Sequence, residues 1–195
     1  MCTKSDNCKS RLSRQDGLSL IELVVFIVIV SVSIAGIFLV LNRAIQTSAD
    51  PVARKQALAI AESLLEEVEL MPFTFCDPDD PAVTTAASPA GCATVEGTSP
   101  TPVSETRYSA PTFDNVGDYG GFDTNTASPS GIRDITSNLI PNLGAYRAQV
   151  SVVQSALGSI AATESLRITV TVTGPGNTTV TLDGYRTRYA PNATQ

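Results

Sequence analysis

Residues 17–30 read Gly-Leu-Ser-Leu-Ile-Glu-Leu-Val-Val-Phe-Ile-Val-Ile-Val, and the apolar run they open continues to Leu41. Between Leu18 and Leu41 the only ionisable residue is Glu22. About 20 consecutive apolar residues cross the hydrocarbon core of a bilayer as one helix, so residues 18–41 are expected to form a transmembrane helix. A carboxylate inside such a helix costs roughly 2.5–3.5 kcal/mol on insertion scales. A residue carried at that cost is read first as functional, with a partner elsewhere.

Toward the amino terminus, residues 1–17 carry Lys4, Lys9, Arg11 and Arg14 against Asp6 and Asp16. Basic residues ahead of a first apolar span hold that end in the cytoplasm, which would send the rest of the chain across the membrane. A cleaved secretory signal has an apolar core of about 7–15 residues closed by a small-residue site. Here the run is longer, and no Ala-x-Ala-like site closes it before Asn42-Arg43. A retained anchor is therefore expected.

With these residues in view, Gly17-Leu18-Ser19-Leu20-Ile21-Glu22 resembles the signal of type IV prepilins and type II secretion pseudopilins, usually written G-F-T-L-I-E. Leu18 stands where the family has phenylalanine and Ser19 where it has threonine. The resemblance implies that a prepilin peptidase/methyltransferase cuts between Gly17 and Leu18, removes residues 1–17 as a cytoplasmic leader, and N-methylates Leu18. It also implies that the apolar helices pack together in a filament, with Glu22 paired to the positive amino terminus at Leu18 of a neighbouring pilin subunit. A charge buried with a partner is far less costly than one buried alone. Assembly would start from an inner-membrane platform, on a single-pass protein of the bacterial inner membrane with a cytoplasmic N-terminus and a periplasmic C-terminal domain.

Composition fits an exported, anchored protein. The chain holds 13 basic and 19 acidic residues for a net charge of −6, with no His and no Trp. Loss of the leader's four basic and two acidic residues would leave −8, an acidic exterior that argues against nucleic-acid binding. The stretch beyond the apolar run is long enough for one modest domain.

The four cysteines divide by compartment. Cys2 and Cys8 lie in the leader, and no apolar segment precedes Cys2 as a lipoprotein signal would require. Cys76 and Cys92 lie in the exported part, where oxidising conditions favour pairing. A bridge closing a loop of that size is worth about 3 kcal/mol in the chain-entropy view, and the sequence between them offers little that could form a core. The alternative is a free or metal-bound pair, but two thiols without His or further Cys make a poor zinc site.

Beyond the membrane the helix is expected to continue over 42–71. Ala57, Leu58, Ala61, Leu64, Leu65 and Val68 fall at the spacing of an amphipathic stripe, Glu62, Glu66, Glu67 and Glu69 take other positions, and Met71-Pro72 supplies a stop. Pro51 removes a backbone donor and is expected to kink the helix or mark a break.

Residues 72–145 read as a variable, loop-rich region holding the disulfide. Loops of such length without structure are usually functional or mobile. Within it, Phe113 to Asp123 is acidic and turn-rich with interleaved aromatics, and Asp114, Asp118 and Asp123 could offer oxygen ligands to Ca²⁺. The segment lacks the closing Glu of an EF-hand, and the plainer reading is acidic turns with aromatics tucked against a sheet. No metal and no cofactor is expected.

Residues 146–195 read as an antiparallel β-meander. Leu166, Ile168, Val170 and Val172 alternate with Arg167, Thr169, Thr171 and Thr173, the period-two pattern of a strand with one buried face. Tyr146–Gln154 alternates less regularly, Gly174-Pro175-Gly176-Asn177 is a turn, and Thr178–Tyr189 returns as a third strand. The fold expected is α+β and pilin-like: a long N-terminal helix, half transmembrane and half amphipathic, packed on a C-terminal antiparallel sheet.

A narrower resemblance rests on Ala49-Asp50-Pro51, the run Gln56 to Val68, Pro72-Phe73, Cys76-Asp77-Pro78-Asp79, Asp114-Asn115-Val116 and Asp118-Tyr119. These are similar to the D-type minor pilins of mannose-sensitive haemagglutinin pili. The function so implied is a minor type IV pilin, a structural subunit that initiates or joins a pilus; the alternative is a minor pseudopilin of a type II secretion system. An enzyme is not expected: the chain has no His, no G-x-S-x-G elbow, no HExxH and no P-loop.

Overall fold

The structure is a computed structural model that describes residues 19–194, the side chains of residues 44–50 excepted. The leader, Gly17 and Leu18 lie outside the described residues. The chain divides into two compact units, Met1–Thr47 and Ser48–Gln195. Helix α1, Leu20–Leu70, contributes to both, and Pro51 lies inside it without ending it.

In the first unit the segment Leu20–Arg43 has a mean hydropathy of 3.1, and none of its most apolar window is buried against protein. Its large apolar side chains, from Leu20 and Ile21 through Phe38 and Leu41, are exposed. A helix of this length and composition is long and apolar enough to cross a membrane. Its two serines satisfy themselves: Ser31 Oγ donates to the Ile27 carbonyl at 2.7 Å and Ser33 Oγ to that of Ile29 at 2.8 Å. In an apolar medium a hydroxyl needs such an internal acceptor.

In the second unit three strands follow in order: β1, Arg147–Gln154; β2, Ser165–Gly174; and β3, Thr178–Thr187. They pair antiparallel as β1-β2-β3, with Val150 opposite Val170 and Val170 opposite Leu182. Because side chains alternate along a strand, this register collects Ala148, Val150, Val152, Leu166, Ile168, Val170, Val172 and Val180 on one buried face. Thr169, Thr171, Thr181 and Asp183 share the other side, where Thr171 and Thr181 hydroxyls meet at 3.4 Å. The third strand is shorter than the sequence reading, ending at Thr187 rather than Tyr189. Gly176 at φ 65° and Asn177 at φ 56° turn the chain between β2 and β3, a backbone region in which Gly and Asn are favoured.

The C-terminal half of α1 covers the buried face of the sheet. Ala57, Ala61, Leu64 and Val68 are buried in the same core as the strand residues. They lie within a narrow stripe at about 100° per residue. Leu58 and Leu65 fall roughly a quarter-turn away, which is why Leu58 is exposed and Leu65 only half-buried, against the wider stripe expected. The approach is close at Gly184 on β3, where an added Cβ would lie 2.0 Å from Glu69 Oε1 and 2.9 Å from Leu65 Cδ1. Tyr146 Oη donates to Gln56 Oε1 at 2.6 Å, tying the start of the sheet to the helix.

The region between helix and sheet holds short helical turns and isolated β-bridges. Several contacts anchor it, those to the sheet, within the loop and to the carboxyl end among them. Residues 121–124 line up against β1: Gly121 N–H donates to the Val150 carbonyl, Val150 N–H to Phe122 and Thr124 N–H to Ala148. Cys76 and Cys92 are joined by a disulfide. Around that bridge Cys76, Val83 and Ala86 make a small second core, so the enclosed loop packs more than its composition suggests. Asn192, near the carboxyl end, donates to the Val83 and Ala86 carbonyls at 2.8 and 2.9 Å and holds this loop down.

Candidate functional site

Two features carry chemistry. The first is the start of α1. Glu22 stands in its first turn, where the unsatisfied backbone N–H groups and the helix dipole favour a negative charge. It is exposed and surrounded by exposed apolar side chains, Ile21, Leu23, Val25 and Phe26 among them. The expected cleavage point Gly17-Leu18 and the methylation site Leu18 lie outside the described residues.

The second is an acidic cluster in the loop region. One carboxylate oxygen from each of Asp79, Glu105 and Asp114 lies within 4.8 Å of the others. Asp79 is exposed, Asp114 half-buried, and Glu105 buried at 4% exposure. Three further carboxylates, Asp77, Glu96 and Asp118, are buried in the same region, where burial raises all three and the charges of Asp118 and Asp77 raise Glu96 further. Among the described residues no Lys or Arg makes an ion pair with any of these six groups.

Local chain geometry explains part of the arrangement. Asp118 accepts backbone N–H from Thr101 through Oδ1 at 3.1 Å, and from Asp114 and Asn115 through Oδ2 at 3.1 and 2.8 Å. It thereby folds the 114–118 turn over the Pro-rich loop. Asp77 Oδ1 accepts from the Asp79 N–H at 2.7 Å and sets the 77–80 turn. Asn115 Nδ2 donates to Thr74 Oγ1 at 2.7 Å and joins the 114–118 turn to the stretch of chain ahead of Cys76. Gly120 completes the fit: an added Cβ would lie 1.9 Å from the Thr98 carbonyl oxygen.

Among the described residues Asp114 Oδ1, Asp77 Oδ2 and Glu96 Oε2 are buried without a hydrogen-bond partner, and the buried Glu105 carboxyl shares a side-chain hydrogen bond with Asp118. Burial and the neighbouring Asp118 charge push Glu105 and Glu96 up to about 9. Burial, with the charges of Asp118, Asp77 and Asp79, takes Asp114 up to about 7. Nearby Asp80 behaves in the opposite way: the Thr94 and Ala82 N–H groups hold it below the usual range.

Of the three residues named from the sequence as oxygen ligands, Asp114 and Asp118 share this region but Asp123 does not. Asp123 instead forms an ion pair with Arg147 at the start of β1 and accepts from the Asn125 N–H at 2.9 Å. Glu105 and Asp79 take its place near Asp114. Neither stands close to Asp114 in sequence, and only the path of the loop brings them together. A recurrent spacing, the signal by which an acidic loop is read from sequence, is missing here.

A third polar group joins helix to loop. Arg107 donates through Nε to Glu67 Oε1 at 2.6 Å and through Nη2 to Oε2 at 2.5 Å, while Tyr119 Oη donates to Glu67 Oε1 at 2.8 Å. Burial would lower Arg107, but the hydrogen bonds and charge of Glu67 outweigh it and hold the guanidinium charged. The aromatic residues Tyr108, Phe113, Tyr119 and Phe122 meet edge to face around this group. It serves packing rather than chemistry on a substrate.

The apolar amino-terminal helix and the α+β domain behind it define a pilin-like arrangement. Residues 12–38 match the family model described as the prokaryotic N-terminal methylation motif. That match supports a subunit of the type IV pilin or pseudopilin kind, whose members are structural rather than enzymatic, and is consistent with a single-pass membrane anchor. It implies processing by a prepilin peptidase and assembly with other pilins. No curated protein and no solved structure matches the chain at a significant level.

Proposed function

We propose that this chain is a minor type IV pilin of the mannose-sensitive haemagglutinin kind, a structural subunit that initiates or joins a pilus. The observation that carries the reading is the methylation motif over residues 12–38, whose described part from Leu20 onward lies on a long apolar helix with most of its large side chains exposed. Processing falls between Gly17 and Leu18 and leaves a methylated, positively charged amino terminus at Leu18. That charge neutralises Glu22 of a neighbouring subunit when the helices leave the bilayer and bundle in the filament. Glu22 is thus a docking charge and performs no catalysis. The acidic α+β domain faces the periplasm, then the fibre surface, and the inner-membrane assembly platform feeds the subunit into the fibre.

The test is co-expression with a prepilin peptidase, mass spectrometry of the product and immunolabelling of sheared fibres. The expected product lacks residues 1–17 and begins with N-methyl-Leu18, and label appears on pili. A product left at full length beside an active peptidase overturns the reading. Processing with label confined to the periplasm and dependent on a secretion channel replaces the pilus by a secretion pseudopilus.

A further inference from the structure

We propose that Glu105 and Asp118 share a single proton, and that this proton latches the loop of residues 97–105 onto the turn of residues 114–120. The loop is released as its surroundings become alkaline. Both side chains are buried, at 4% and 0% exposure, and a hydrogen bond joins their carboxyl groups. An ionised carboxylate only accepts, so such a bond needs one of the two to be protonated. Two carboxylates sharing one site do not both ionise readily.

Backbone geometry decides which of them holds the proton. Asp118 accepts from the Thr101 N–H through Oδ1 and from the Asp114 and Asn115 N–H groups through Oδ2, and three such donors favour its ionised form. Among the described residues no N–H or hydroxyl group donates to either Glu105 oxygen. Glu105 is therefore the acid that donates, and Asp118 the carboxylate that accepts. The surrounding charges act in the same direction. Asp114 and Asp77 face Glu105 with negative charge, Asp79 lies beside Asp114, and Glu96 is a further buried acid at the head of the loop. The cations and hydroxyl around them are engaged elsewhere: Arg107 and Tyr119 with Glu67, Arg147 with Asp123, and Arg188 with Glu164.

Packing turns the shared proton into a latch. A Cβ added at Gly117 would lie 2.3 Å from the Gly97 carbonyl oxygen, and one at Gly120 1.9 Å from that of Thr98, so the backbones of loop and turn are in contact. Once Glu105 loses its proton, the two carboxylates can part only by lifting the loop into water. Val103 in that loop is already 92% exposed, so lifting it uncovers little apolar surface there. With the loop seated, burial and the Asp118 charge hold Glu105 up to about 9, against about 4.3 in water. The folded value is the higher one, so the latch is at full strength below about pH 4.3 and is lost as pH rises through about 9.

The latch stands apart from the pilin reading, because it concerns only the loop region. It is tested on the full-length protein in detergent micelles by amide hydrogen exchange, with protection corrected for the intrinsic pH dependence of exchange. An opening that releases one proton shifts by up to about tenfold per pH unit. Protection of the Thr101 and Asn115 N–H groups should therefore fall at least about tenfold between pH 6 and pH 8, while amides of β2 keep theirs. Glu105→Gln can donate to Asp118 without titrating, and should lose most of this pH dependence while keeping the protection. Glu105→Ala removes the donor and should leave the same amides poorly protected at both pH values. Isotope-edited infrared spectra at pH 7 should show a protonated carboxyl band that Glu105→Gln lacks. Wild-type protection that stays flat from pH 6 to pH 8 overturns the latch. So does Glu105→Gln if it keeps the wild-type pH dependence or matches Glu105→Ala at pH 6.

Discussion

Arg107 and Glu67, separated by 40 residues in sequence, lock together through two parallel hydrogen bonds, with side-chain exposures of only 7% and 16%. Helix α1 thereby holds the loop region as well as the sheet. Glu67 lies beside Val68 on the helix and reaches inward, although the stripe spacing places it away from the core. Paired this way, it caps the aromatic group around Tyr119 instead of facing water.

Breaking this pair should be costly. Glu67→Gln leaves Arg107 buried without a counter-charge, and about 3 kcal/mol of stability should be lost, the lower end of the range for half a buried pair. Arg107→Lys should not rescue, since an ammonium cannot reproduce the fork that binds both oxygens. Converting both residues to Met should recover part of the loss. Denaturant unfolding of the three variants in one detergent checks the ordering.

Gly184 marks a close approach of helix and sheet, and the two atoms nearest an added Cβ are side-chain ends, Glu69 Oε1 and Leu65 Cδ1. Gly184→Ala should therefore cost little, because Glu69 can swing away. Gly184→Leu must displace the helix itself, and overpacking of this kind costs about 1–3 kcal/mol. A midpoint for Gly184→Leu equal to that of Gly184→Ala would show that the helix is not seated on this strand.

Reduction of Cys76–Cys92 should lower stability by about 3 kcal/mol, the chain-entropy value for a loop near this length, whose cysteines are 16 residues apart. The Cys76→Ala/Cys92→Ala variant should lose the same amount, and reductant should then have no further effect. Native mass spectrometry under non-reducing conditions reports the bond, and denaturant midpoints report the energy.

The Asp123–Arg147 pair sets one acid dependence. The Arg147 hydrogen bond holds Asp123 below the usual carboxylate value, despite partial burial. A folded-state pKa below the unfolded one of about 3.9 contributes stability that is fully present above that value and lost as pH falls through the folded value. The stability gap between wild type and Asp123→Asn should therefore be open at pH 7 and close below about pH 4. A gap unchanged down to pH 2.5 would exclude the ion pair as its source.

Glu22→Val should leave membrane insertion and cleavage after Gly17 intact, because removing a charge from an apolar helix lowers its insertion cost. Incorporation into fibres, or N-methylation of Leu18, should fall. Immunolabelling of sheared fibres and mass spectrometry of the processed amino terminus separate the two effects.

Much of this architecture is local enough to be read without coordinates. The apolar run Leu18–Leu41 declares its medium by length and composition, and residues 165–174 declare one buried face by alternation. The Gly17–Glu22 stretch of the methylation motif is contiguous, and Cys76 and Cys92 bond to each other. Each depends on neighbours along the chain or on a fixed period, so one strand or one helix turn contains the whole message.

The tertiary structure alone decided where the polar groups of residues 72–145 go. Asp123 looked equivalent to Asp114 and Asp118, yet the pairing of residues 121–124 with β1 delivers it to Arg147. Glu105 gave no sign in a Pro/Thr/Ser-rich stretch, yet it is buried facing Asp79 and Asp114. Glu67 read as a solvent-facing helix residue until Arg107 and Tyr119 closed over it. A loop has no period, so its contacts are set by where packed elements pin its ends. Charges brought together in this way interact over a few ångströms of space, whatever their distance along the chain.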